Sequence, residues 1–363
     1  MLRRGDLLVL RHESYEVLRH LGSGPSAETY EIRSTLGGRR FAARVLREGI
    51  VASADDAAEF REQLRKAAAL HHQSVALVYD GGETEDGRSV TIRRHFRSSL
   101  AERPAKGRSP SAHDAIRWTL DVLRGLQHLH SKGCAHGAVR PENIMLDPCG
   151  RAVLCDPAWL TPGADRAARA GGRYESPDLL LDRVSRGEQD DAQDDLYAAA
   201  VVLAECLLGR APFAASAARP IVNAKLRGFR CEQGELSREQ STFLERALAP
   251  HPSDRFASAE EMQDEAEEYY QRALTSRADY PLAWFSLGRL QAREEKYEEA
   301  EGSMRRYIEL CPGDPWAYYI LGTSLANLGK DDEAEFILAK ASQLDPDGEA
   351  GALARLELQG LKE

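Results

Sequence analysis

Residues 134–158 read CAHGAVRPENIMLDPCGRAVLCDPA, and the order of residue types in this stretch decides the fold. Two apolar, strand-like pieces, NIML (143–146) and AVLCD (152–156), flank DPCGR, whose Asp-Pro and Gly mark a tight turn. Upstream, AIRWTLDVLRGLQHLHSKG (115–133) has amphipathic helical spacing, and Gly133 supplies a left-handed C-cap. Downstream, residues 161–175 are rich in Gly, Ala and Arg and read as an exposed segment. The strongly apolar helix DLYAAAVVLAECLLG (195–209) follows, and smaller helices run to about residue 262. This half is α-rich.

The preceding hundred residues have another character. YEVLRHLGSG (15–24) and ETYEIRS (28–34) flank a glycine turn, and FAARVL (41–46) and SVTIRRHF (89–96) read as further strands. Between them, Ala54 to His71 is helical, with Phe60, Leu64, Ala67 and Ala68 on one side. The expected organisation is a β-rich small lobe (1–96), an α-rich large lobe (97–262) and a separate tail (263–363).

The tail is periodic. Pro281 and Pro315 are 34 residues apart, and AWFSLGRL superimposes on AYYILGTS, then YEEAEGSM on DDEAEFIL. Trp284/Tyr318, Leu287/Leu321, Gly288/Gly322, Ala300/Ala334 and Pro312/Pro346 coincide, which is the pattern of tetratricopeptide repeats at 281–314 and 315–348. Small residues let antiparallel helices approach closely, while aromatic and Leu positions fill the space between. Such repeats need company to be stable. EEMQDEAEEYYQRAL (260–274) suits a leading half-repeat and GALARLELQGL (351–361) a terminal cap.

Composition narrows the function. The chain has 363 residues and a net charge of −10, so a general attraction to nucleic acid or anionic membrane is not expected. Its six cysteines show no paired or metal-ligand spacing, which implies reduced thiols and a cytoplasmic location. The start, MLRRGDLLVL, is too short in apolar residues for a signal peptide, and no later run is long enough to span a bilayer.

Together the pieces from about Tyr15 to Met262 resemble the bacterial Ser/Thr protein kinases. LGSGPSAETY (21–30) matches the glycine-rich phosphate loop, FAAR (41–44) the strand carrying the nucleotide lysine, and HGAVRPEN (136–143) the catalytic loop. DPA (156–158) stands for DFG, YESPD (174–178) for the APE region, DDLY (194–197) for the start of the central helix, and PSDRF (252–256) for the late arginine. The implied fold class is α+β, a bilobal kinase-like fold followed by an all-α repeat array. Joining kinase lobes to such repeats also resembles the mycobacterial kinase G architecture, without its cysteine knuckle.

The departures from the family are more telling than the matches. The resemblance implies a catalytic Asp accepting the substrate proton and a strand Lys paired with a helix Glu. Here those positions hold Ala138, Arg44 and Gln63; Glu62 lies about 100° around the helix from Gln63. The catalytic-loop Lys becomes Arg140, the activation-segment Thr becomes Gly171, and the DFG Phe becomes Pro157. A methyl group accepts no proton, and general-base catalysis is worth about 10²–10⁴-fold. Asn143 and Asp156 keep both metal-binding positions, and Gly22, Gly24, Ala42 and Arg44 complete the expected nucleotide set. ATP with Mg²⁺ is the cofactor these positions imply, although none is required.

The resemblance also implies structural braces: His136 heading the catalytic loop, Asp195 anchoring that loop, and an Asp178–Arg255 ion pair. Braces kept and chemistry lost imply a pseudokinase scaffold that binds a protein partner through its repeats, with the cleft open to nucleotide regulation. The competing expectation is an unconventional or weak phosphotransferase or nucleotidyltransferase using metal on Asp156. A third leaves the cleft empty. Histidines 71, 72, 128 and 130 read as core or surface residues, Cys149 and Cys155 as unreactive thiols near the cleft. At least one of Arg93 and Arg94 is expected at the surface. Thr161 is the only Ser or Thr between Asp156 and Glu175, which leaves ordinary activation-loop phosphorylation little to act on.

Overall fold

The computed structural model describes residues 2–10, 13–102, 110–147, 150–162, 172–181, 188–213, 218–274, 281–293, 295–346 and 349–361. Gly171 and Cys149 lie outside them. The chain divides into two compact units, Met1–Glu267 and Glu268–Glu363, so the first unit reaches five residues beyond the boundary expected at 262.

Alternation with period two builds the sheet of the first unit. Strands β1 (Leu7–Val9), β2 (Ser14–Ser23), β3 (Ala27–Ser34), β4 (Arg40–Leu46), β5 (Val78–Glu83) and β6 (Ser89–Arg94) pair antiparallel in the order β1-β2-β3-β4-β6-β5. One face buries Tyr30, Ile32, Phe41, Ala43, Val45, Val90 and Ile92 with Leu8, Tyr15 and Val17. The register pairs Ala42 with Arg93 and Arg44 with Thr91, so these four residues share the opposite face. Helix α1 (Ala54–Ala68) covers that face and begins in a capping box between Ser53 and Asp56. Its Phe60, Leu64 and Ala67 pack on Ala27, Leu46, Val78 and Leu160. Gly81 is required here, because a Cβ would sit 2.7 Å from a Leu64 methyl and 2.8 Å from the Val90 carbonyl.

The helical part holds α2 (Ala112–Ser131), α3 (Pro177–Leu181), α4 (Glu188–Leu208), α5 (Ala218–Leu226), α6 (Arg238–Ala247) and α7 (Ala259–Leu274). A small sheet of β7 (Ser98–Ser99), β8 (Ile144–Leu146) and β9 (Ala152–Leu154) lies beside α2. The expected hairpin is therefore present, and Gly133 closes α2 at φ +68°.

In the second unit, α8 (Pro281–Arg293), α9 (Tyr297–Leu310), α10 (Pro315–Asn327), α11 (Asp331–Leu344) and α12 (Glu349–Gly360) stack in sequence. Phe285, Met304, Tyr307, Tyr318, Leu321, Leu325 and Leu338 form its core. The coincident glycines sit at helix crossings: a Cβ on Gly288 would lie 2.9 Å from the Met304 methyl, and one on Gly322 2.6 Å from Leu338 Cγ. Arg305 and Lys330 tie the repeats together through Glu301 and Glu333.

Candidate functional site

The loop between α2 and β8 is held by one buried carboxylate. Asp195, on α4, accepts from the His136 amide at 2.6 Å and the Gly137 amide at 2.7 Å, and meets His130 Nε2 at 3.0 Å. Amide bonds to a charged acceptor are the stronger kind. His136 is buried, its Nε2 faces the Cys155 carbonyl at 3.2 Å, and its Nδ1 accepts from the Ala138 amide at 3.3 Å. That pattern needs the neutral Nε2–H tautomer, and burial lowers the imidazole's pKa in the same sense. Gly137, at φ +68°, lets the chain pass within contact of Ala158.

Ala138 therefore stands on a fixed loop, with its carbonyl bonded by Asn143 Nδ2 at 2.9 Å. A cavity of about 60 Å³ opens beside it, and its carboxylates are Glu175, Asp194 and Asp195. Asp195 is committed to the loop, and Asp194 receives the Ser176 hydroxyl.

Arg44 extends from the covered face of the sheet, but its partners come from neither Gln63 nor Glu62. Its guanidinium donates to Thr161 Oγ1 at 2.7 Å, Ser26 Oγ at 3.1 Å and the Leu160 carbonyl at 3.4 Å. Gln63 bonds Glu59 at 2.6 Å, and Glu62 turns outward to Arg65. The cause is packing. A 3₁₀ turn at Ala158–Leu160 inserts Leu160 beneath α1, bringing Thr161 to the arginine. Burial, with Arg93 and Arg140 nearby, pushes the Arg44 guanidinium below its ordinary pKa, and Asp156 opposes them.

Asp156 follows β9 at φ +56°, a left-handed conformation that Asp tolerates better than most residues. Both of its oxygens are taken. Arg93 Nε and Nη2 donate to Oδ1 and Oδ2, each at 2.9 Å, in a parallel fork. The two side chains are 4% and 14% exposed. Burial alone would raise the Asp156 carboxyl, but Arg93, with Arg44 behind it, holds it below the usual carboxylate range. Burial pushes the neighbouring Cys155 thiol up, away from a reactive thiolate.

At the glycine turn, Gly24 N–H donates to Ala27 O at 2.8 Å and Arg47 Nε donates to Gly24 O at 3.0 Å. A Cβ at Gly22 would meet nothing within 4 Å, so the protein's own packing does not demand that glycine. Farther away, Arg255 Nη2 donates to Asp178 Oδ2 at 2.6 Å and lies against the Tyr197 ring.

Residues 15–266 match the family model described as protein kinase domain. The chain belongs to the protein kinase family. Tetratricopeptide repeat models match residues 264–315 and 317–347 of this kinase-family chain. Among curated relatives, it is 28% identical over 269 residues to "Probable serine/threonine-protein kinase SCO3848" of Streptomyces coelicolor, covering 70% of this chain and 39% of that protein. It is 24% identical over 254 residues to "Serine/threonine-protein kinase PrkC" of Bacillus subtilis, covering 69% and 39%. It is 30% identical over 215 residues to "Serine/threonine-protein kinase pkn2" of Myxococcus xanthus, covering 57% and 26%. The match thus spans about two fifths of the first two proteins and less of the third.

Within this kinase fold the expected site residues have distinct surroundings. Ala42 and Arg44 share one face of β4, Asp156 is forked to Arg93 on the paired strand, Asn143 holds the Ala138 carbonyl, and Arg140 lines the cavity beside Ala138. Arg94 is exposed and Arg93 buried, as a strand that shows only one of them to solvent requires. Nothing in the sequence signals a role for Arg93; its place on the face of Arg44 follows from the pairing of β4 with β6. Lys225 carries no sequence signal either. That side chain is fully buried, donating to the Arg173 carbonyl at 3.0 Å and to the Glu175 carbonyl, over the rings of Tyr197 and Phe213. It fixes the segment leading into α3. Among the described residues, no helix is long and apolar enough to cross a membrane.

Proposed function

We propose that this kinase-family chain is a catalytically impaired pseudokinase that serves as a scaffold, capturing a protein partner through its tetratricopeptide unit. One observation carries the reading: a methyl group stands at Ala138 on a loop held by Asp195, so the position is fixed and offers no proton acceptor. The braces of the large lobe, Asp195 on the 136–137 amides and Arg255 on Asp178, are formed, as a rigid platform needs. The alternative, a weak or unconventional phosphotransferase working through metal on Asp156, is opposed by the fork from Arg93. Nucleotide entering the cleft has to displace Ser26 and Thr161 from Arg44, so any regulation by ATP works against contacts already made. Stacked helical repeats present a groove for an extended peptide or helix.

The test is capture of interacting proteins by cross-linking in the native host, comparing the full chain with one lacking residues 281–363. The full chain is expected to cross-link to a protein that the shortened chain misses, while the shortened chain still melts cooperatively. Equal capture by both would contradict the assignment of partner binding to the repeats.

A further inference from the structure

Active kinases of this fold place a divalent cation against the Asp that Asp156 represents, and a carboxylate oxygen reaches Mg²⁺ at about 2.0–2.1 Å. The residues present do not fit such an ion. Arg93 Nε and Nη2 cover both Asp156 oxygens, and Arg93 Nη1 is anchored on the Arg94 carbonyl at 3.2 Å, so all three guanidinium nitrogens are used. Arg93 comes from β6, which lies between β4 and β5 in the sheet, so its backbone cannot withdraw without breaking two ladders. Arg44 adds a second positive charge acting on the same carboxylate. An incoming dication would meet two guanidinium groups around a carboxylate already neutralised by one of them. Among the described residues, no cluster of three or more His, Cys, Asp or Glu forms a metal site.

We propose that Arg93 is a resident cation that takes the place of the divalent metal at Asp156, leaving that carboxylate neutralised and the cleft indifferent to Mg²⁺. The guanidinium does for Asp156 what a metal would do electrostatically: it neutralises a carboxylate in a dry site. Unlike an aqueous ion, it cannot dissociate, and its fork has no open position for a phosphate oxygen. Substitution of Arg93 should uncover a carboxylate that seeks a cation. This inference is separable from the scaffold reading, because a chain that bound metal here could still lack phosphate transfer.

The test uses Mn²⁺ as probe, titrated to 1 mM against the full chain and followed by water-proton relaxation. The unsubstituted protein is expected to give the same enhancement as Asp156→Asn. Arg93→Gln is expected to gain an enhancement of at least twofold that Arg93→Gln/Asp156→Asn loses, with Mn²⁺ also raising its Tm. Should Arg93→Gln fail to fold, Arg93→Lys retains a charge and is expected to stay blind to Mn²⁺. An Asp156-dependent enhancement in the unsubstituted protein or in Arg93→Lys would overturn the proposal. So would an Arg93→Gln protein that folds and ignores the ion.

Discussion

Replacing Asp156 by Asn keeps the shape of the side chain and removes its charge, leaving the Arg93 guanidinium in a site where it is 4% exposed. Breaking one side of a buried ion pair costs about 3–5 kcal/mol, because the remaining charge loses its counterion without regaining water. For a unit of this size each kcal/mol moves Tm by roughly 2–4 °C, so the expected fall is roughly 6–20 °C. Removing both partners has another outcome. Arg93→Met/Asp156→Asn deletes the orphaned charge, and apolar replacement of buried pairs is often close to neutral. The double variant should therefore recover most of the loss, giving a coupling of about 2–4 kcal/mol where independent sites would add. The pair also sets a pH dependence. Since the folded Asp156 pKa lies below its unfolded value of about 3.9, its contribution is complete above that pH. It disappears as pH falls through the folded pKa. Calorimetry of the full chain and three variants at pH 7 reads the cycle. An Asp156→Asn protein within about 0.5 kcal/mol of the parent, or a double variant that costs the sum of the singles, would refute the reasoning.

Other expectations come from packing and charge. In the repeat unit, Gly322→Ala forces a Cβ to 2.6 Å from Leu338 Cγ and should destabilise by about 1–3 kcal/mol despite better helix propensity. Gly302→Ala, on the exposed face of α9 with nothing within 4 Å, should stabilise by about 0.5–1 kcal/mol; urea titration of each that gave the same sign for both would contradict the helix-crossing argument. Burial lowers the Lys225 pKa to about 7, whereas the unfolded chain holds that proton to about 10.4. The unfolded state thus binds more protons between these values, and this group makes the fold more stable as pH rises from 7 towards 10. Lys225→Met should flatten that part of the stability–pH curve, and an unchanged slope between pH 7 and 9.5 would remove Lys225 as its source.

Periodicity and local chemistry were readable before the fold was known. The 34-residue spacing located Gly288 and Gly322 at helix crossings because only a hydrogen fits where two helices touch, and that need repeats with the helices. The turn closed by the Gly150 amide on the Asp147 carbonyl and the closing glycine of α2 follow from residue type and order, whereas the pairing of Asp178 with Arg255 is implied only by the resemblance to the kinase family. The partners inside the cleft do not. Arg93 and Asp156 are 63 positions apart, and nothing local to either selects the other; only the sheet register and the path after β9 bring them together. The same holds for Arg44, whose Thr161 partner depends on Leu160 being drawn beneath α1. Lys225 sits in VNAKL, where an isolated lysine reads as solvated. Its carbonyl and ring partners come from the 173–175 segment, α4 and Phe213, far away in sequence.

The most direct measurement is transfer of label from γ-³²P-ATP with Mg²⁺, to the chain itself and to a general protein substrate, for the unsubstituted protein and Ala138→Asp. The account expects none from the parent, and none from Ala138→Asp alone, because the restored proton acceptor still faces an Asp156 bound to Arg93. Transfer by the unsubstituted chain that is abolished in Asp156→Ala would contradict it.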